Sequence, residues 1–205
     1  MRLGVITDAH GNLPALETAL SDMRGHRVDR IVHMGDAIGI GPQPRETLRR
    51  LLREPALTCL LGNHEEWFAF GLPEPRPVWM RSGEVRHHAW MHGHLDEQLR
   101  AAVAGFAWQL RLDLGGVALQ LAHYALDARR MPGRPSFVDS VRDPTVVDLD
   151  RLFAGVSADI ICFGHDHLSH DLRGRAHDQG VGLPQQRSHR RTGGIRRDQH
   201  LDLTR

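Results

Sequence analysis

Short apolar runs alternate with amphipathic stretches over the first sixty residues of the chain. Three runs have the length and apolar content of buried strands: residues 2–7, 30–34 and 57–61. Apolar residues at helical spacing follow Asn12, which can cap a helix: Leu13, Leu16, Leu20 and Met23. A second amphipathic stretch covers residues 45–53. This alternation of strand, helix and strand predicts a βαβ start.

The central part of the chain changes to a helical pattern that proline interrupts. Residues 72–78 carry three prolines and predict an irregular segment. Helical periodicity returns at residues 83–99 and again at residues 100–107. We therefore predict a helical, cap-like segment over about residues 66–108.

The second half of the chain begins with a hairpin signal and leads to a further buried strand. Gly115-Gly116 separates two strand-like runs, residues 109–114 and 117–122. Residues 127–145 are rich in proline and predict a long loop, after which a short helix is expected at residues 148–153. Residues 159–163 then form an apolar run typical of a core strand.

Length and charge favour one globular domain without a strong electrostatic field. The chain has 205 residues and a formal net charge of +1, so recruitment of nucleic acid or of a membrane surface is not expected. Residues 1–170 are predicted to form the core, and residues 171–205 an atypical arginine-rich tail that partly completes a sheet. The N-terminal apolar run is too short for a signal peptide, which favours a cytoplasmic location. The oligomeric state stays open.

Several catalytic chemistries are excluded by residues that the chain lacks. All 26 basic residues are arginine, so no lysine can form a Schiff base or serve a P-loop. The sequence contains no G-x-S-x-G elbow and no G-x-G-x-x-G after a strand. Cys59 and Cys162 lie in apolar runs and are predicted to be buried, reduced thiols. Histidine is abundant instead, with 15 residues.

Polar side chains follow five predicted strands at the point where each strand ends. Because ligands gather at the carboxyl ends of strands in open α/β sheets, these side chains are expected to meet at one edge. The clusters are Asp8-Ala9-His10, Gly35-Asp36, Gly62-Asn63-His64-Glu65, His123 and Gly164-His165-Asp166-His167. Nitrogen and oxygen donors without thiolate suit divalent transition-metal ions, and the set exceeds the four ligands of a structural zinc site. The sequence thus predicts two ions, with Asp36 as the shared ligand.

The same clusters, in this order, resemble the motifs of the calcineurin-like metallophosphoesterases. The phrases DAHGNLPALE, GDAIGIGPQP and HYALD are similar to small bacterial members of a phosphodiesterase or diadenosine-tetraphosphatase-like branch. The resemblance implies a four-layer α-β-β-α sandwich of two mixed sheets, the metallo-dependent phosphatase fold. It also implies hydrolysis of small phosphodiesters or nucleotides through a metal-bridging hydroxide, with Mn²⁺ as the first choice of metal and Fe, Zn, Co or Ni as alternatives.

The resemblance assigns a role to each matching residue. It implies a first metal held by Asp8, His10, Asp36 and His167, and a second held by Asp36, Asn63, His123 and His165. His64 is implied to be catalytic, as an acid that protonates the leaving oxygen rather than a ligand. Its neighbour Glu65 could orient His64, although a solvated acid at a helix N-terminus is the interpretation we favour.

Two other functions remain open from the sequence. A Ser/Thr-type protein phosphatase is one, although such relatives carry an arginine where this chain reads GDAIGIG. The other is a metal-loaded scaffold that has lost catalysis, which usually lacks some of the residues present here. Trp79 and Trp90 could border a substrate cleft and stack on a nucleobase, but core burial is the ordinary fate of such tryptophans. The histidines at 87, 88, 92 and 94 are predicted to be solvent-facing, with a cap that contacts substrate as the alternative.

Overall fold

The computed structural model describes residues 1–131, 134–168 and 170–173, with the side chains of residues 128–134 outside that description. These residues form eight strands and six helices. The strands are β1 (Leu3–Ile6), β2 (Arg30–His33), β3 (Leu57–Cys59), β4 (Gln109–Asp113), β5 (Ala118–Ala122), β6 (Leu126–Met131), β7 (Arg134–Phe137) and β8 (Ile160–Cys162). The helices are α1 (Leu13–Gly25), α2 (Pro44–Leu52), α3 (Asn63–Phe70), α4 (Ser82–His94), α5 (Glu97–Ala104) and α6 (Val146–Leu152).

The strands form two three-stranded sheets and a separate hairpin. The first sheet has the order β1-β2-β3, and both of its strand pairs are parallel. The second sheet has the order β4-β5-β8, in which β4 and β5 are antiparallel while β5 and β8 are parallel. The β6–β7 hairpin is antiparallel and has an irregular register. The strands that precede the predicted polar clusters are therefore parallel within each sheet.

Three apolar clusters show how the layers stack. Leu16 and Leu48 pack α1 and α2 on Ile31 of the first sheet. Val32, the next residue on β2, faces the opposite way and packs against Leu121 of the second sheet. The outer face of the second sheet is covered around Ile161 by residues of α6. Helices, sheet, sheet and helix thus form four layers, which confirms the α-β-β-α sandwich.

Helix α1 forms where its cap residue and its apolar spacing predicted a helix. The Asn12 side chain accepts a hydrogen bond from the backbone N–H of Ala15 at 3.1 Å, and proline occupies the first turn. Both features satisfy or remove N–H groups that would otherwise lack acceptors. Leu16 and Leu20 are fully buried, as the apolar spacing predicted.

The predicted cap-like segment packs into the main core rather than standing apart from it. Phe68 of α3, Met91 of α4 and Leu99 of α5 are buried in the same apolar cluster as Ile31. Asp96 ends the preceding helical stretch by capping α5, since its carboxylate accepts from the N–H of Leu99 at 3.0 Å. Among the described residues, no helix has both the length and the apolar character needed to cross a membrane.

Two of these expectations were wrong, and one lies outside the described residues. Residues 127–145 are not one long loop, because β6 and β7 form a hairpin there. Helix α3 begins at Asn63, ahead of the predicted helical segment, because its first turn lies inside the polar GNHE phrase. His88 is buried with 6% exposure instead of facing solvent. The tail beyond residue 173 cannot be compared with its prediction.

Candidate metal centre

The structure brings the side chains of all seven predicted ligand residues to one edge of the paired sheets. Each sits just beyond the carboxyl end of β1, β2, β3, β5 or β8. Because β1, β2 and β3 are parallel, as are β5 and β8, the ends of each set share one edge of their sheet, and the contact between Asn63 and His123 joins the two edges. The seven residues are Asp8, His10, Asp36, Asn63, His123, His165 and His167.

A first group of donor atoms joins the end of β1 to the end of β8. The Nε2 atoms of His10 and His167 lie 2.8 Å apart. One carboxylate oxygen of Asp8, Oδ1, lies 3.7 Å from His10 Nε2 and 3.5 Å from His167 Nε2. Three donors therefore converge on one small volume, which is the arrangement that a cation requires.

A second group lies beside the first and involves the ends of β3, β5 and β8. The amide oxygen of Asn63 lies 3.1 Å from His123 Nε2 and 2.8 Å from His165 Nδ1. The two imidazole nitrogens are themselves 3.2 Å apart. This group again offers only nitrogen and oxygen donors, as the sequence predicted.

Asp36 lies between the two groups and contacts both. Its Oδ2 atom is 3.7 Å from His10 Nε2 and 3.3 Å from His123 Nε2. Burial alone would raise the pKa of Asp36, but the charges of His123 and His64 outweigh burial and hold that pKa well below its usual value. Conversely, burial alone would lower the pKa of His123, whereas the Asp36 carboxylate raises it to about 9. The Asp36 carboxylate thus stays ionised at a buried position.

Backbone carbonyls orient two of the imidazole rings toward this centre. Nδ1 of His10 lies 3.1 Å from the carbonyl oxygen of Ile38, and Nδ1 of His123 lies 3.2 Å from that of Met34. When Nδ1 donates to a carbonyl, a neutral imidazole presents the lone pair of Nε2 to the other side. Ring orientation and donor chemistry therefore both fit divalent transition-metal ions.

The backbone is strained at most of these positions. Five of the seven residues have a positive φ: Asp8 (54°), His10 (47°), Asp36 (53°), His165 (79°) and His167 (59°). Left-handed backbone is uncommon for residues other than glycine and concentrates at functional sites. The turns after the strands thus hold these side chains in an arrangement that folding stability alone does not favour.

Glu65 has a role that the sequence analysis missed. It is only 1% exposed, so the prediction of a solvated acid was wrong. Its Oε2 atom accepts from the N–H groups of Asp36 at 2.6 Å and Gly62 at 2.9 Å, while Oε1 accepts from Ile38 at 3.0 Å. Burial, reinforced by the Asp36 carboxylate, raises the pKa of Glu65 to about 7. These three hydrogen bonds fix the turn that contains Asp36, and none of them involves the His64 ring.

His64 lies at the rim of the centre, at the start of α3. Its backbone N–H donates to Asp36 Oδ1 at 3.0 Å, and its ring packs edge-on against His10 with centroids 5.2 Å apart. A Cβ on Gly39 would approach the Cγ atom of this ring to 2.5 Å, so glycine at that position makes room for the imidazole. Burial lowers the pKa of His64 to about 4, which leaves the ring neutral near neutral pH.

The centre opens into a cavity of about 400 Å³. His10, Asp36, Asn63 and His64 line its inner end, and Trp79 lines its outer part. Trp90 does not line this cavity, although the sequence offered both tryptophans as candidates. Tyr124, the residue after His123, is fully buried and accepts a hydrogen bond from the N–H of Val141 at 3.0 Å.

Comparisons with known proteins agree with this geometry. Residues 1–169 match the family model described as calcineurin-like phosphoesterase. A metallophosphoesterase from Sphaerobacter thermophilus is similar in structure, with a TM-score of 0.55 and 25% identity over 82% of this chain and 61% of that one. A hypothetical protein from Pyrococcus horikoshii OT3 shares the fold, with a TM-score of 0.61 at 15% identity over 78% of this chain and 67% of that one.

Sequence similarity to curated proteins covers a shorter segment. An uncharacterized protein of Methanocaldococcus jannaschii is 35% identical over 63 residues, which are 31% of this chain and 26% of that protein. This chain therefore spans about a quarter of that relative and less than two thirds of the Sphaerobacter thermophilus enzyme. The family model spans most of the chain and includes every cluster described above. The chain belongs to the calcineurin-like phosphoesterase family.

Proposed function

We propose that this chain is a two-metal phosphoesterase that hydrolyses small phosphodiesters, nucleotide diesters included. The observation that carries the proposal is the pair of donor groups that share the Asp36 carboxylate at the inner end of a cavity. The cavity volume of about 400 Å³ is in the range of sites for small molecules. In this proposal residues 1–170 form the phosphoesterase core, and the helical segment of residues 66–108 forms one wall of the cavity.

The two donor groups suggest which residues hold each ion. Asp8, His10 and His167 would hold one ion together with Asp36, and Asn63, His123 and His165 would hold the other, again with Asp36. Two bound divalent ions would supply an activated water and neutralise the charge of the phosphoryl oxygens. Imidazole, amide and carboxylate donors without thiolate make Mn²⁺ the metal to test first, with Fe, Zn, Co and Ni as alternatives.

The residues of the chain itself provide positioning and a proton donor. Glu65 and the carbonyl oxygens of Ile38 and Met34 hold the donor groups in place before any ligand binds. Preformed geometry of this kind removes reorganisation from the reaction barrier. The His64 ring lines the cavity next to His10, where its imidazolium form, stabilised by the charge of a bound phosphate group, can donate a proton to the leaving oxygen of a diester.

His64→Ala is expected to lower kcat for 2′,3′-cyclic AMP, whose alkoxide leaving group needs a proton, roughly 100-fold or more, the scale of general acid catalysis. The Mn²⁺ content should stay unchanged, since the ring is proposed as a proton donor and not as a ligand. Steady-state kinetics and elemental analysis of the same preparations measure the two quantities. Loss of one Mn²⁺ per chain in His64→Ala would instead make His64 a ligand, which its closeness to His10 and Asp36 also permits.

The wild-type assay separates the proposal from a non-catalytic scaffold. The wild-type chain with Mn²⁺ should hydrolyse bis(p-nitrophenyl) phosphate and should act weakly at most on phosphopeptides. Full metal content without turnover of any phosphoester would favour the scaffold, and efficient dephosphorylation of phosphopeptides would favour a protein phosphatase.

A further inference from the structure

A short row of aromatic rings leads away from the metal centre along the cavity. The His64 ring packs edge-on against Trp67, with centroids 5.0 Å apart. The Trp67 ring in turn contacts Trp79, with centroids 6.0 Å apart and an angle of 34° between the ring planes. All three residues line the cavity. The row therefore begins at the proposed proton donor and ends at an indole at the outer part of the pocket.

The two tryptophans differ in how much of each ring is available. Trp67 is 7% exposed and forms a fixed base, whereas Trp79 keeps 47% of its surface exposed. The indole of Trp79 faces the cavity, and a flat ligand that stacks on it would bury its exposed apolar surface. The exposed surface of Trp79 is thus the part of the row that a ligand can reach.

The Trp79 ring is held in its orientation by neighbours on two sides. Its Nε1 donates a hydrogen bond to Asp139 Oδ1 at 3.2 Å, which links the ring to the segment after β7. Pro73 and Pro77 precede it in the chain and also line the cavity. Proline restricts the backbone, so less conformational entropy is lost when a ligand binds to this wall. The indole is therefore preorganised for contact with a planar group.

We propose that Trp79 is the stacking platform for a planar aromatic group on the leaving side of the substrate. This inference rests on the proposed function and names its substrate class: phosphodiesters whose leaving group carries an aromatic ring, as a nucleobase does. The leaving side follows from the row itself, because it starts at His64, the proposed donor to the leaving oxygen. Base stacking on aromatic side chains tolerates different rings, since each presents a flat π-face.

Trp90, on α4, provides a matched control for Trp79, which lies in the irregular stretch before that helix. It is 38% exposed, close to the value for Trp79. Its ring contacts His87 and His94 on α4, with centroid distances of 5.4 and 4.1 Å, and it lies outside the cavity lining. Replacing Trp90 therefore removes a comparable ring without touching the proposed platform.

Two non-hydrolysable ligands with the same phosphonate head group test the platform by calorimetry. Phenylphosphonate and ethylphosphonate are titrated separately into the Mn²⁺-loaded full chain, so the readout is binding and not turnover. The wild type should bind phenylphosphonate roughly 5- to 100-fold more tightly, the range measured for stacking on one aromatic side chain. Trp79→Ala should bring the ratio of the two affinities to about twofold or less, whereas Trp79→Phe should retain most of it.

The ratio of affinities separates a platform from a structural role. General damage to the site would weaken both ligands together and leave their ratio unchanged. Trp90→Ala should keep the wild-type ratio. Equal binding of both phosphonates by the wild type, or an unchanged ratio in Trp79→Ala, would overturn the platform while the proposed phosphoesterase stands. Binding of neither phosphonate, together with absent diester hydrolysis, would overturn the proposed function and the platform with it.

Discussion

Asp36→Asn is expected to lower kcat/KM for bis(p-nitrophenyl) phosphate by about three orders of magnitude or more. Asp36 Oδ2 lies 3.7 Å from His10 Nε2 and 3.3 Å from His123 Nε2, so one carboxylate serves both donor groups. The neutral amide of asparagine removes the charge that both ions would share while keeping nearly the same shape. Steady-state kinetics at saturating Mn²⁺ measure the loss.

Asp143→Asn is the matched control for that substitution. Asp143 has the same backbone φ of 53° as Asp36 but is exposed and belongs to neither donor group. Any cost of placing asparagine in the left-handed region is therefore common to both variants. Activity close to wild type is expected for Asp143→Asn. Wild-type activity in Asp36→Asn would contradict the proposed role of the shared carboxylate.

Glu65→Ala is expected to lower the free energy of unfolding of the metal-free protein by about 3 kcal/mol or more. Three backbone N–H groups, those of Asp36, Ile38 and Gly62, would lose their acceptor inside the protein. Each buried donor left without a partner costs roughly 1–3 kcal/mol. Mn²⁺ affinity should fall about 10- to 100-fold as well, the range for residues that hold metal ligands in place. Urea unfolding and Mn²⁺ titration measure the two effects.

Glu65→Gln and Asp148→Ala are the comparison variants for Glu65→Ala. Glu65→Gln retains one acceptor oxygen and should be intermediate in both measurements, which covers the case that Glu65→Ala does not fold. Asp148→Ala removes a carboxylate from the same helical position of α6, where it accepts from the N–H of Thr145 at 3.0 Å at the surface. A smaller loss than in Glu65→Ala is expected there, because water can replace an exposed carboxylate as the acceptor. Equal losses in Glu65→Ala and Asp148→Ala would show that burial of the Glu65 carboxylate is unimportant.

The strand ends could be predicted from the sequence because two independent patterns, an apolar run and the polar cluster directly after it, coincide there. Apolar runs set the positions of β1, β2, β3, β5 and β8 to within a few residues. Polar residues that directly follow such runs must lie at the sheet edge, which is why Asp8, Asp36 and Asn63 could be expected to meet. Helix α1 was predictable for a similar reason, since its cap and its apolar spacing agree.

Other parts of the site depend on tertiary contacts that a linear pattern does not encode. Glu65 follows a polar phrase and looks like an exposed helix N-terminus, yet two N–H groups of the turn after β2 join that of Gly62 in donating to it. The β6–β7 hairpin lies in a proline-rich stretch whose composition predicts a loop, and its pairing is irregular. His88 has helical neighbours that give no sign of burial, whereas packing near Trp67 covers it.

The strained backbone at the candidate metal centre was equally hidden from the sequence. A positive φ is anticipated at glycine, and Gly35 does adopt one at 100°. A positive φ also occurs at the neighbouring Asp36 and at the histidines 10, 165 and 167, where the residue type does not predict it. The sequence thus predicts which side chains meet, while the turns that aim them are visible only in the structure.

Anomalous diffraction at the manganese absorption edge, from crystals grown with Mn²⁺, tests most directly whether the seven side chains hold a pair of ions. Two peaks are expected next to the Asp36 carboxylate. One should lie among Asp8, His10 and His167, and the other among Asn63, His123 and His165. A single peak, or peaks that do not contact Asp36, would contradict the two-metal centre.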